Sequence, residues 1–255
     1  MNARSLLPSL PGSHMDADRR AAFSTGVLFI VTFITAIPAA LLFDPVINDA
    51  SYIAGAGADR RISLGAFLEL ILIVANIGTA LVPFAILRRQ SEGLALGFVA
   101  ARIMECVFIA VGILSVLAVV ALRQDVAGAS GTEADSLVIA GTALVAIKDL
   151  TFMLGPGFVV GIGNGMILGY LMYRSGLVPR GMAMLGLIGG PLVCASGIAV
   201  MFGMIDLGSG WQLIATIPEM LWEASLGIWL TVRGFRTSSR ILAPARATAP
   251  QLAAD

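Results

Sequence analysis

Apolar residues in this chain come in long, almost unbroken runs. Neither the strict alternation of a half-buried strand nor the one-face stripe of a soluble helix accounts for them. Six runs reach about the 20 residues that a helix needs to cross a hydrocarbon core of roughly 30 Å. They cover residues 21–43, 63–87, 94–122, 150–173, 182–204 and 211–232. Barrel strands alternate over about ten residues, so length and uniformity exclude them. The expected fold is an all-α, polytopic transmembrane helix bundle with six spans.

The segments between the spans are less regular. Residues 136–147 are apolar but too short to cross. A straight helix from Asp135 to Tyr173 would be about 58 Å long, so this stretch must break, protrude or lie in the interface. Gly155-Pro156-Gly157 is the natural place for a kink, because proline removes a backbone donor. The loop from Asp44 to Ile62 is rich in Asp, Gly and Ala. It is long enough to fold over one end of the bundle and to hold a short interfacial helix. Residues 1–20 read as an N-terminal tail, and the first apolar run is too long for a signal peptide, so it is expected to stay as a signal-anchor. Residues 237–255 are mostly Ala, Pro, Ser and Arg and read as a disordered tail.

Composition agrees and narrows the class. Of the 255 residues, 58% are hydrophobic and only 13% charged. Mean hydropathy is +0.92. A soluble domain carries roughly 25% charged residues. Intrinsic disorder, collagen and coiled coil are excluded by the same figures, and two cysteines are too few for a disulfide scaffold. The 16 basic and 16 acidic residues cancel, but their placement does not. With the N-terminus inside, eleven arginines fall on inner segments and three on outer ones. That bias predicts both termini in the cytoplasm. The expected partner is the lipid bilayer, and the tail arginines suit anionic headgroups rather than nucleic acid.

Gly157, Gly161, Gly165 and Gly169 recur every four residues and form one stripe along a helix face. Such a stripe admits a second backbone at close range. Tight packing within the chain is one reading. Association of two copies through the stripe, giving a homo-oligomer, is another, and a conduction path lined by bare backbone is a third. No strand precedes these glycines and no Lys-Ser/Thr pair follows them, so they are not a nucleotide loop. No cofactor is expected.

The charges that fall inside spans are few. Ionisable groups there are costly, face the bundle interior and find partners. Arg102 and Glu105 stand one turn apart on the third span, and Glu219 and Glu223 one turn apart on the sixth. Counted from the span ends, Arg102 and Glu223 fall at nearly the same depth, as do Glu105 and Glu219. A buried cluster of three acids and one base is therefore expected. Glu69 lies nearer the opposite face, where Lys148 and Asp149 begin the fourth span, and Lys148 is its expected partner. Asn76 and Asn164 add polar groups near mid-depth.

Such a cluster has four readings. It fixes helix register, or it carries a proton for coupled transport, or its three acids hold a cation, or it catalyses a reaction inside the bilayer. No metal site is expected from the spacings. The single histidine, His14, lies in the N-terminal tail, which removes Ser–His and Cys–His pairs and histidine zinc sites from the spans. Cys106 and Cys194 read as small buried apolar residues rather than a redox pair.

Several stretches carry a family resemblance. They are Tyr52-Ile53-Ala54-Gly55 with Leu64 to Leu70, Gly93 to Gly97 leading to Arg102 and Glu105, and Lys148 to Phe152 running into Leu154-Gly155-Pro156-Gly157. Tyr173 to Arg180 and Trp222-Glu223 complete the set. In this order they resemble a bacterial integral-membrane family known as domain of unknown function 4386, over about residues 20–236. The resemblance implies a six- or seven-span protein of the bacterial inner membrane. It implies no activity and no catalytic residue. Glu69, Arg102, Glu105, Asp149 and Glu223 match charged positions of its pattern, and Glu219 fits it less well.

The functional expectation is an integral membrane protein of unknown activity with a structural or accessory role. The alternative is a small secondary transporter or channel using buried carboxylates, and the third is an intramembrane enzyme. A cavity reaching Glu105 and Glu219, with a broken fourth span, would favour transport. A dry, fully paired cluster would favour the structural role.

Overall fold

The computed structural model of the chain describes residues 12–49, 52–55, 57–126 and 128–242, with side chains from residue 17 onward. All regular elements among them are helical. In chain order they are α1 (Gly12–Asn48), α2 (Asp59–Leu87), α3 (Glu92–Val126) and α4 (Thr132–Leu154). Two π-helical stretches follow, Gly155–Val159 and Gly161–Leu168, then α5 (Gly169–Ser175), α6 (Arg180–Met201) and α7 (Gly210–Val232). Six helical rods are long and apolar enough to cross a membrane, the fourth being the composite Thr132–Ser175. This is a multi-pass, all-α membrane fold.

The rods form a ring. α1 packs on α2 and α7, α2 on α3, and α3 on α4 and both π stretches. α6 closes the circle by packing on α7 and on the second π stretch. With six crossings, the start of α1 and the end of α7 lie at one end of the bundle, here the terminal end. The opposite end is the loop end.

Several boundaries differ from the sequence expectation, each for a physical reason. α1 begins at Gly12 rather than residue 21. Its early turns are held because the Arg19 guanidinium donates to the carbonyls of Leu230, Thr231 and Val232 at 3.2, 3.2 and 3.0 Å. Those carbonyls belong to the last turn of α7, where helix ends leave acceptors short of intrahelical donors. Residues 237–242, read from the sequence as part of a disordered tail, lie against the bundle. The Ser239 hydroxyl donates to the Ser175 carbonyl at 2.9 Å, and the Arg236 amide donates to the Leu177 carbonyl at 2.8 Å. Residues 243–255 lie outside the described residues.

Residues 136–147 belong to α4 and pack along α3, so the fourth rod runs 44 residues. At α-helical rise that is about 66 Å, twice a bilayer core. α6 and α7, with 22 and 23 residues, match the core alone. At the loop end α1 to α4 therefore stand taller than α6 and α7.

No interfacial helix forms between α1 and α2 among the described residues. A clamp takes its place. Arg123 at the end of α3 donates from Nε to Asp59 Oδ1 at 2.7 Å, from Nη2 to Asp59 Oδ2, and from Nη1 to the Gly55 carbonyl at 2.7 Å. The Tyr52 hydroxyl donates to Asp59 Oδ1 at 3.0 Å, and Arg123 lies 5.8 Å from the Tyr52 ring centroid. Burial, and then the adjacent Asp59 carboxylate, push the Tyr52 phenol up to about 12.

Most of the buried apolar residues fall into two separate clusters. One, at the terminal end, contains Phe29, Phe98, Leu171, Trp222 and Leu226. The other, at the loop end, contains Phe43, Tyr52, Ile62, Ile113 and Val119. Between them lies a layer of buried polar and charged side chains.

Candidate functional site

The polar layer begins on α3. One helical turn separates Arg102 from Glu105, so both side chains point to the ring interior. Arg102 Nη1 donates to Glu105 Oε2 at 2.7 Å. Its Nη2 lies 3.7 Å from Glu223 Oε1 on α7. Its guanidinium carbon also sits 5.5 Å from the Phe29 ring centroid, on α1. Arg102 is 2% exposed, so this cation is held by two carboxylates and an aromatic face in place of water.

Asparagines extend the layer. Asn76 on α2 donates to Glu105 Oε1 at 3.1 Å. Asn164, in the second π stretch, donates its side-chain amide to Glu223 Oε1. The Asn164 backbone carbonyl accepts from Trp222 Nε1 at 3.0 Å and also from the Gly169 amide. The π turns widen the fourth rod and rotate Asn164 inward. Glycine and Pro156 provide the local reason, because Pro156 has no N–H to give to an α-helical ladder.

The pair expected nearer the loop end is present. Lys148 Nζ donates to both Glu69 oxygens, at 2.7 and 2.9 Å, and lies 4.5 Å above the Phe43 ring centroid. Gly112 on α3 makes room for it, since a Cβ there would meet Lys148 Nζ at 3.2 Å. Asp149 is half-buried beside this pair and forms no ion pair with a described residue.

Glu219 stands apart. It is 2% exposed, and neither carboxylate oxygen has a hydrogen-bond partner among the described residues. Its Oε2 rests on the glycine seam. A Cβ added at Gly165 would fall 2.7 Å from that oxygen, and one at Gly189 would fall 2.9 Å from it.

The expected glycine stripe faces α6 of the same chain over most of its length. A Cβ at Gly161 would fall 2.6 Å from the Gly190 carbonyl oxygen, and one at Gly169 3.2 Å from the Leu187 amide nitrogen. Gly157 meets α6 through its carbonyl, which a Cβ on Gly197 would approach to 2.7 Å. This close approach carries the second π stretch and its Asn164 to α7.

All of these charges line one half-open cavity of about 690 Å³. Glu69, Glu105, Glu219, Glu223 and Asp149 contribute five carboxyls to its wall, against the two cations Arg102 and Lys148. The remaining wall is largely apolar, with Phe33 and Phe43 from α1, Leu72 from α2, Ile109 from α3 and Phe152 from α4. Asn48 and the Leu207–Gly208 loop border it toward the loop end. Spacing in the sequence already signals the acids and their partners. The aromatic faces of Phe29 and Phe43 and the Trp222 bond carry no such signal, because an apolar residue in an apolar run looks like any other.

Compared with known protein families, residues 24–234 match the family model described as Domain of unknown function (DUF4386). The chain belongs to that family. No curated protein and no solved structure matches it. The match spans every charged residue of the cavity, so in this DUF4386 protein the polar layer and the family domain coincide. Cys106 and Cys194 are both buried free thiols, and each approaches a backbone carbonyl, of Ile73 at 3.7 Å and of Phe158 at 3.4 Å.

Proposed function

We propose that this protein is a small secondary transporter that couples solute movement to a proton carried on its buried carboxylates. One observation carries the reading. Glu219 is buried on the wall of a cavity, and among the described residues no hydrogen-bond donor and no ion-pairing cation is spent on it. A purely structural acid would be paired, as Glu105 and Glu69 are. An acid left unpaired between two apolar cores has a role in binding or in proton transfer.

Two further features support it. The fourth rod is not broken but takes up π turns at the level of the charged layer, and π turns within helices are frequent at functional sites. The cavity closes toward the terminal end, where α1 and α7 meet at Gly26, Gly227 and Thr231. With both termini in the cytoplasm of a bacterial cell, as the arginine bias predicts, the cavity of this state would face outward. Arg102 would keep α3, α7 and the π stretch in register while Glu219 exchanges its proton.

The test uses purified protein in liposomes containing the pH-sensitive dye pyranine. Cationic, neutral and anionic solutes are applied one at a time. Solute-driven proton movement in the wild type that disappears in Glu219→Gln is the expected result. If no solute of any charge moves protons in folded wild-type protein, the transporter reading fails.

A further inference from the structure

We infer that the cavity recognises a compact organic cation with an apolar body, and that Glu219 is the group that meets its charge. This deepens the transporter reading and rests on it.

The argument begins with charge. The two cations on the wall are both engaged. Lys148 is held by both oxygens of Glu69, and Arg102 lies between Glu105 and Glu223. Arg102 Nε and Nη2 make no hydrogen bond to a described residue, but both cations already face carboxylate counter-charges, which disfavours an anion. On the acidic side, Glu219 and Asp149 have no cationic partner within ion-pair reach among the described residues. The excess of three carboxyls therefore favours a positive ligand. A buried carboxylate without a partner is costly, and a bound cation removes that cost.

Size and lining then narrow the class. A volume of about 690 Å³ is that of a drug-sized molecule, not of a bare ion. A hydrated metal ion would also want several converging oxygens. The carboxylates of Glu105 and Glu223 are already turned to Arg102, which leaves Glu219 on α7 and the half-buried Asp149 on α4. Among the described residues no three acidic, histidine or cysteine side chains converge as a metal site. The walls supply Phe33, Phe43 and Phe152, aromatic faces that suit a delocalised or quaternary cation.

The route follows from the rim. Ile37 on α1 and Met220 on α7 border the cavity and are 51% and 45% exposed. They lie on the loop side of the contact where Gly227 meets the Phe29 side chain, so the opening falls between the loop-side halves of α1 and α7. An apolar cation dissolved in the bilayer would reach Glu219 there without crossing water.

Tetraphenylphosphonium and tetraphenylborate test this directly, because they share a shape and differ in the sign of charge. Binding of each would be measured by equilibrium dialysis against the protein in lipid nanodiscs, with empty nanodiscs subtracted. Saturable binding of the phosphonium, little binding of the borate, and at least a tenfold weakening in Glu219→Gln are expected. Phosphonium binding should also release a proton, read as a pH change in weak buffer. Equal binding of both ions, or phosphonium binding unchanged in Glu219→Gln, overturns the inference. The two readings fail separately. If the phosphonium does not bind but a neutral or anionic solute still drives Glu219-dependent proton movement in liposomes, the substrate class is wrong and the transporter reading stands. If neither occurs, both fall.

Discussion

Arg102 on α3 bridges two helices far apart in the chain. It bonds Glu105 on its own helix at 2.7 Å and faces Glu223 on α7 at 3.7 Å. Removing this guanidinium would leave two acids in a layer shielded from water. Breaking a buried ion pair costs about 3–5 kcal/mol because the abandoned charge has nowhere to go. Arg102→Met is expected to unfold at clearly lower SDS fraction in mixed micelles. Arg102→Lys should recover only part of the loss, since an ammonium cannot fork toward both carboxylates. A methionine variant as stable as wild type would rule out this role.

Glu219 predicts the opposite. It makes no hydrogen bond and no ion pair with a described residue. Glu219→Gln should not lower the unfolding midpoint, because it breaks no hydrogen bond or ion pair to a described residue and removes a carboxyl that is costly to bury as an anion. Stability kept with function lost is the pattern of a group held for its chemistry rather than for the fold. A large destabilisation would return Glu219 to a structural role.

The Lys148–Glu69 pair lends itself to a double-mutant cycle. Lys148→Met strands Glu69 and should cost about 3–5 kcal/mol. Glu69→Met in the same chain should recover most of that, because an apolar pair of similar volume needs no desolvation. Additive losses in the double variant would mean that the two residues act independently.

Glycine positions differ in what surrounds them. Gly161→Ala places a methyl against the Gly190 carbonyl and the Cys194 sulfur, 2.6 and 2.8 Å away, and should destabilise by about 1–3 kcal/mol. Gly97→Ala meets only the end of Ile167 at 3.6 Å. There the helix propensity of alanine should leave stability unchanged or raised by about 0.5–1 kcal/mol. Thermal unfolding of the two variants side by side tests the seam, and equal effects would argue against it.

The Tyr52 phenol should ionise near pH 12 in the folded protein, well above its ordinary 10. Absorbance of the phenolate, compared between wild type and Tyr52→Phe, isolates its titration. The neutral phenol is favoured in the folded state, so its contribution to stability is intact below pH 10 and fades between about 10 and 12. Asp59→Asn should move the transition down, because the Asp59 carboxylate both accepts the Tyr52 hydrogen bond and repels a phenolate.

The sequence was most informative where one solvent dominates. Long apolar runs have no stable place in water, so six helical spans could be read without coordinates, and the only boundary errors fell at helix ends. Those ends are settled by local acceptors and clamps that hydropathy does not encode. Arg19 extends α1, and Arg123 replaces an expected interfacial helix with an ion-paired turn. The fourth rod was legible as too long for one crossing, and Gly155-Pro156-Gly157 as its weak point. That the helix stays continuous by taking up π turns depends on α3 and α6 packing against it.

The candidate site divides along the same line. Ionisable residues inside apolar runs announce themselves, because burying a charge demands a reason, and helical rise gave their depths. Depth alone brought Arg102 to Glu223 and Glu69 to Lys148. It also placed Glu219 beside Glu105, and the two do line one cavity, but which of the acids is paired was decided by the tertiary structure. The close glycine contact of the fourth rod with α6 seats the Glu219 carboxylate over Gly165 and Gly189, with no hydrogen bond to a described residue. By itself the sequence determined that this is a six-span membrane protein and which charges it buries, since hydrophobicity and helical rise act residue by residue. Which acid remains unpaired, and that it borders a cavity, was decided only by the packing, because pairing depends on helix rotation and on how closely backbones approach.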